Sequence, residues 1–333
     1  MNLKAKAIVA ASLALLICTT AAAAANSDAS PAQRSVRSAS NQGSEFMNSL
    51  KKQAAAWQDE LSAQPEFAAW SGAALKLEPL GPGGHSWLAT VTDAGTGQSV
   101  GYMIVHAKPD GGFTLGEYGA GDAPLFETSR LEEGLRKANL TVAKRSKLYI
   151  SPAVSVWRLT DAKGRNYYAD ASSGEVLPLH DNQWLMEAAG KAASAARLKA
   201  KNTGARHYVN ASKYAHAKFV AAQPLTGSIM PKSKIRKAIL LKPDDPFRRL
   251  AWLIEPALSD SSKQRLLSLM DAGRRIDYSA ELYGGSIRLI GQAYGYHSWS
   301  DGRNFGAFSI AGAEGIRYWP LEEAAASGSF YPV

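Results

Sequence analysis

Short segments of alternating apolar and polar residues, each bounded by Gly- and Asp-rich turns, constrain this chain more than any other feature. Ser86–Thr92 (SWLATVT) alternates, and Asp93–Gln98 (DAGTGQ) carries turn chemistry. Ser99–His106 (SVGYMIVH) is a strand, Lys108–Gly112 (KPDGG) turns again, and Phe113–Gly116 resumes. Strands joined this closely form an antiparallel meander. Two further strands, Ala153–Leu159 and Asn166–Asp170, flank a turn at Thr160–Gly164. A later group comprises Ile276–Leu282, Ser286–Ala293, Tyr294–Ser300, Asn304–Ile310 and Gly315–Pro320. Within that group Asp301–Gly302 is the strongest hairpin signal, because both positions favour positive φ.

Helical spacing interrupts the strands in a few places. Phe46, Leu50, Ala54, Trp57 and Leu61 recur along one face of a helix predicted over Glu45–Ala63. Leu131, Leu135 and Leu140 do so over Thr128–Leu140, with Thr128 or Ser129 as N-cap. Ser261–Ala272 is a short helix burying Leu266, Leu267 and Met270 and ended by Gly273. Trp184–Lys199 is an Ala/Lys-rich helical stretch. The fold class is therefore α+β.

A chain of 333 residues with 46% hydrophobic and 20% charged residues favours two domains, each large enough to bury a core without disulfides. The N-terminus reads as an export signal over residues 1–25: Lys4 and Lys6, an apolar run Ala7–Ile17, then Thr19–Thr20 and the tract Ala21–Ala25. Small residues place cleavage near Ala25–Asn26, which makes the protein secreted or extracytoplasmic, with no transmembrane helix in the mature chain. The sole cysteine, Cys18, follows the large Ile17, which argues against lipidation. Its loss with the signal leaves no thiol for disulfides or nucleophilic chemistry. A flexible leader over 26–44, an antiparallel-sheet α+β domain over 45–183, a basic helical connector over 184–218 and a smaller, barrel-like, mostly-β domain over 219–333 complete the expected organisation.

The formal charge of +9 becomes +7 without Lys4 and Lys6. One basic stretch holds Lys191, Arg197, Lys199, Lys201, Arg206, Lys213 and Lys218; another holds Lys232, Lys234, Arg236 and Lys237. Outside the cell such a surface meets an anionic cell-wall polymer, anionic lipid or an acidic protein rather than nucleic acid; a solvated basic face is the plainer alternative.

The stretch Val156–Leu177 combines a strand, the turn Asp161–Gly164, and the run Tyr167, Asp170, Gly174, Glu175, Val176 and Leu177. It resembles the end of a PepSY domain, and Val100–Val105 (VGYMIV) is similar to prodomains of streptopain-like peptidases. The resemblance implies a secreted module that accompanies extracellular peptidases as an inhibitory or chaperoning propeptide, or stands alone. No peptidase domain follows, so no catalytic residue carries over. In the motif, Asp170 caps a turn to Gly174 that bends the chain out of the sheet.

Catalytic spacing is otherwise missing. The six histidines form no i, i+4 pair for a metal. Gly285–Ser286 lacks the second glycine of a nucleophile elbow, and no phosphate-binding loop occurs. Two groupings remain. Glu117, Asp122 and His106 lie near the Gly-rich segment Gly116–Ala123, read as a polar loop or as an acid/base or Ca²⁺ site. Tyr296, His297, Trp299 and Trp319 belong to an aromatic C-terminal group that packs a core or anchors a peptide or sugar. Together with Tyr168 and Asp170 of the motif, these four are the candidate ligand contacts; no catalytic, metal or cofactor residue is assigned. The expected function is a non-catalytic binding or regulatory protein contacting a peptide, partner protein or wall polymer. The alternatives are a hydrolase built from Glu117, Asp122, His106 and His297, and a papain-like peptidase relative that has lost its nucleophile.

Overall fold

A computed structural model of the protein describes residues 31–108, 111–190 and 233–332. The export signal with Cys18, its cleavage point, and the connector beyond residue 190 lie outside the described residues. Helix α1 (Pro31–Leu61) starts well before the apolar repeat at Glu45, so the stretch read as a leader is helical from Pro31. Leu50, Ala54, Trp57 and Leu61 are all buried, one helical stripe turned to the core. A 3₁₀ helix, Pro65–Trp70, follows. The Gln58 side-chain amide fastens the two by donating to the carbonyls of Trp70 and Ala73, each at 2.8 Å.

Strands β2 (Ser86–Thr92), β3 (Ser99–Ala107) and β4 (Phe113–Ala120) form the expected meander, and β1 (Ala74–Leu80), which the sequence did not indicate, extends it beside β2. Helix α2 (Thr128–Lys137) is capped by Glu127, whose carboxylate accepts from the Ser129 amide, rather than by Thr128 or Ser129. Strands β5 (Lys144–Ser151), β6 (Val154–Thr160), β7 (Asn166–Asp170) and β8 (Val176–Leu177) make a separate four-stranded sheet. Asp170 caps its turn as expected, accepting from the amides of Ser172 and Ser173 at 2.8 Å each. That turn does not lead out of the sheet: it folds the chain back so that β8 pairs antiparallel with β7, Tyr168 opposite Leu177. Residues 181–190 form α3.

The remaining elements are β9 (Ile235–Leu240), a 3₁₀ turn Pro246–Arg248, α4 (Ala251–Ile254), α5 (Lys263–Asp271), β10 (Ile276–Leu282), β11 (Ile287–Trp299), β12 (Asn304–Ile310), β13 (Ile316–Pro320), α6 (Leu321–Ser327) and β14 (Ser329–Pro332). They do not build a barrel. β13 pairs with β4, and one open ten-stranded sheet runs β1-β2-β3-β4-β13-β12-β11-β10-β14, with β9 added beside β11. The aromatic residues expected to fill a barrel instead serve two faces of this sheet. Trp299, Phe305 and Tyr318 pack under α1 and the 3₁₀ helix. Tyr278, Phe308, Trp319 and Phe330 pack on the opposite side with α5, α6 and the smaller sheet. A third cluster joins α2 to Trp157 and Leu159 of β6 and to Leu88, Tyr102 and Ile104 of β2 and β3.

Two local departures follow from bulges. The segments read as strands 286–293 and 294–300 are one strand, β11, whose register slips between Ala293 and Gly295. Its first half pairs with β10 and its second with β9. At the β11–β12 hairpin only Gly302 is left-handed, at φ 86°. Trp299 O accepts from Gly302 N at 3.0 Å and Trp299 N donates to Arg303 O at 2.8 Å, the pattern of a type I turn closed by a glycine bulge. Among the described residues no helix is long and apolar enough to cross a membrane.

Candidate functional site

Alternation along β4 and β13 sends consecutive residues to opposite faces of the large sheet. Glu117 and Arg317 face the smaller sheet; Tyr118 and Tyr318, paired in register, face α1. Each face thereby acquires a polar centre. Segment Gly116–Ala123, expected to be a loop, is strand as far as Ala120, and Glu117 is 0% exposed.

Glu117 Oε1 accepts from Tyr102 Oη at 2.5 Å, from Arg317 Nε at 2.8 Å and from Trp319 Nε1 at 3.2 Å, while Oε2 accepts from Tyr149 Oη at 2.8 Å. Arg317 Nη2 donates onward to the Pro152 carbonyl at 2.8 Å. Burial, then the neighbouring Glu117, drives the Tyr102 and Tyr149 phenols far above their usual range. A buried ion pair is tolerated only when its remaining lone pairs and protons are satisfied, and four groups do so here: Tyr102, Tyr149, Trp319 and the Pro152 carbonyl.

On the other face His297, also 0% exposed, bridges Glu66 Oε1 at 2.9 Å from Nε2 and Tyr118 Oη at 3.0 Å from Nδ1. Trp299 Nε1 donates to Tyr118 Oη at 3.1 Å and Tyr318 Oη to Glu66 Oε1 at 2.5 Å. An imidazole carrying its proton on Nε2 satisfies every member: Tyr118 donates to Nδ1 and Nε2–H donates to Glu66. The ring stacks on Tyr318 at 4.3 Å. Burial raises the Glu66 carboxyl, but the hydrogen bonds from His297 and Tyr318 outweigh it and leave the group below its usual value.

The candidate contacts named from sequence do not converge. Tyr296, His297, Trp299, Trp319 and Tyr168 are buried. Tyr296 donates to Asp271 at 2.5 Å, and Tyr168 donates to Asp181 at 2.7 Å while stacking on Trp184. Asp170 is spent on its turn. Of the acid/base set, Glu117 and His297 occupy opposite faces. His106 bonds Ser86 Oγ at 2.7 Å through Nδ1 and lies against the Tyr149 ring, and Asp122 is exposed. Among the described residues no three His, Cys, Asp or Glu side chains are placed to hold a metal ion.

Open concave surfaces lie elsewhere, one of them over α2 beside Glu133 and Lys137. Another groove, of about 790 Å³, crosses the face of β1 and β2 away from α1, lined by Lys76, Glu78 and Thr90, and walled by the β4–α2 segment, Lys147 of β5 and Glu314. Its lining is polar and five of its charges are paired, Glu78 with Lys76 at 2.8 Å and with Lys147 at 2.5 Å, and Arg130 with Glu314 at 2.5 Å, while the carboxylates of Asp122 and Glu127 also line it. Glu78 is held below the usual carboxylate range by those lysines, Lys147 first. Among the described residues β1 pairs on one side only; just past its end Gly81 bonds the backbone of Lys147 and Tyr149, which hinges the two sheets beside the groove. The alternating pattern of β1 is interrupted by Pro79, and β5 reads as a charged segment, so sequence gave no signal that these strands face each other. The chain matches no family model, and no curated protein or solved structure is significantly similar to it.

Proposed function

We propose that the chain is an exported, non-catalytic binding module that takes an extended polar peptide segment into the groove beside β1. One contrast carries this reading. The residues best equipped for acid/base chemistry, Glu117 and His297, are sealed in the core with their polar atoms engaged, whereas the groove beside β1 offers charged side chains of both signs, Thr90 and an edge strand. An unpaired strand edge supplies main-chain hydrogen bonds to an added strand. Pro79, which lacks an amide donor, limits such pairing to the stretch Ala74–Glu78. Export rests on the Lys4–Ala25 pattern, and the likeness of Val156–Leu177 to a PepSY module agrees with a role in contacting a protein rather than cleaving one.

The test is capture of partners from culture supernatant and wall extract with the parent protein and with Thr90→Trp, which fills the groove. Peptide ligands recovered by the parent and lost by Thr90→Trp are the expected result. Equal recovery by both, or a hydrolytic activity abolished by Glu117→Gln in a variant that still folds, would overturn the reading.

A further inference from the structure

The groove over α2, of about 800 Å³, is lined by Glu133 and Lys137 of the helix and by Glu175 and Val176 at the start of β8. Among the described residues β8 pairs with β7 alone, so this groove, like the one beside β1, borders an outer strand of its sheet. The two are not separate depressions: Ser129, Arg130 and Glu314 line both. Arg130 stands in the first turn of α2 and Glu314 in the loop between β12 and β13, and their ion pair at 2.5 Å is the sill between the grooves. Glu314 also lines a small pit together with Leu125, Ser172 and Arg317, all three buried. It is the one residue common to all three concavities.

The sill is a weak barrier. The Glu314 side chain is 71% exposed against 21% for Arg130, so one partner swings in water while the other is packed against the helix. An ion pair at the surface adds little to stability, and the loop arm can leave Arg130 without disturbing the core. Resting on the peptide-binding reading above, we propose that one extended ligand spans both grooves, and that the Arg130–Glu314 pair opens to admit it and closes across it. The ligand is a polar peptide strand, because side chains of both signs line each half: Glu78 with Lys147 in the first, and Glu133 with Lys137, at 2.8 Å, in the second. Its length is about ten residues, ~33 Å when extended, roughly twice what the stretch Ala74–Glu78 can pair.

Retention of synthetic random-sequence mixtures of polar pentapeptides and decapeptides on the immobilised full chain tests this. Decapeptides should be held about tenfold or more tighter than pentapeptides, as joining two subsites predicts. Glu175→Trp, at an exposed position in the second groove, should bring decapeptides down to the pentapeptide level of the parent, and Glu314→Ala should speed decapeptide release about threefold or more. Lys137→Trp, on the helix side of the same groove, replaces Glu175→Trp if that variant does not keep the parent's thermal midpoint. Equal retention of both lengths, each lost in Thr90→Trp, overturns the spanning ligand and leaves the reading of the first groove standing. A length advantage that survives obstruction of the second groove overturns it too, and unchanged release in Glu314→Ala overturns the closure. A parent that holds neither length overturns both this proposal and the reading beneath it.

Discussion

Glu66 connects the 3₁₀ helix to the large sheet through His297 and Tyr318, and its carboxyl is depressed from the usual 4.5. A group depressed in the folded state contributes stability above its unfolded pKa, and that contribution fades as pH falls through the folded value. The urea midpoint should therefore drop as the pH is lowered from about 5 to about 3. Glu66→Gln should be less stable at neutral pH and lose less over that range; an unchanged acid slope would assign the loss to other carboxyls. Asp277, raised by burial against the opposing Gln292 hydrogen bond, acts in the reverse sense, so each variant must be compared with its parent. None of this network was legible in the chain. Glu66 and His297 stand 231 positions apart, and Glu117 sits among glycines that read as a loop. A side chain's polar partners belong to the fold and leave no local periodicity.

Strands bounded by strong turn residues were legible. β7, β10 and β12 begin and end where the sequence places them, because Gly164, Gly273, Gly284, Gly302 and Gly312 bound them, although β10 and β12 are buried on both faces. Edge and charged strands were not: β1, β5 and β9 expose much of their length, and β11, buried on both faces for most of its length, reads as two strands because its bulge breaks the pattern. Helix α2 adds a contact that its leucines do not reveal. A Cβ placed on Gly134 would lie 1.9 Å from the Gly174 carbonyl oxygen, and one on Gly174 would lie 2.3 Å from that of Arg130. The helix and the Asp170–Gly174 turn touch backbone to backbone, and only glycine permits that approach. Gly134→Ala should cost about 1–3 kcal/mol, as overpacking does, despite alanine's better helix propensity. A chemical melt showing equal or greater stability would mean that the helix can retreat from the turn without penalty.

The large sheet takes β1–β4 from one half of the chain and β9–β14 from the other, so the expected barrel never closes: β4, which would have been an outer strand, accepts β13. Alternation reports how many faces a strand buries but not which strand lies beside it. A fragment ending at residue 183 would strip β13 from β4, leaving Glu117 without Arg317 and Trp319 and Tyr118 without His297. An uncompensated buried charge is severely destabilising, and residues 43–183 alone should give no cooperative thermal transition; a sharp melt with dispersed amide resonances would refute that. The same seam bears on how the molecule is made. Glu117 waits for a guanidinium 200 positions later, so a nascent chain leaving the ribosome must carry an unfinished central strand until those residues have been made. Pairings this distant in sequence form slowly and leave apolar edges open meanwhile, which favours a holding chaperone during translation over stepwise folding.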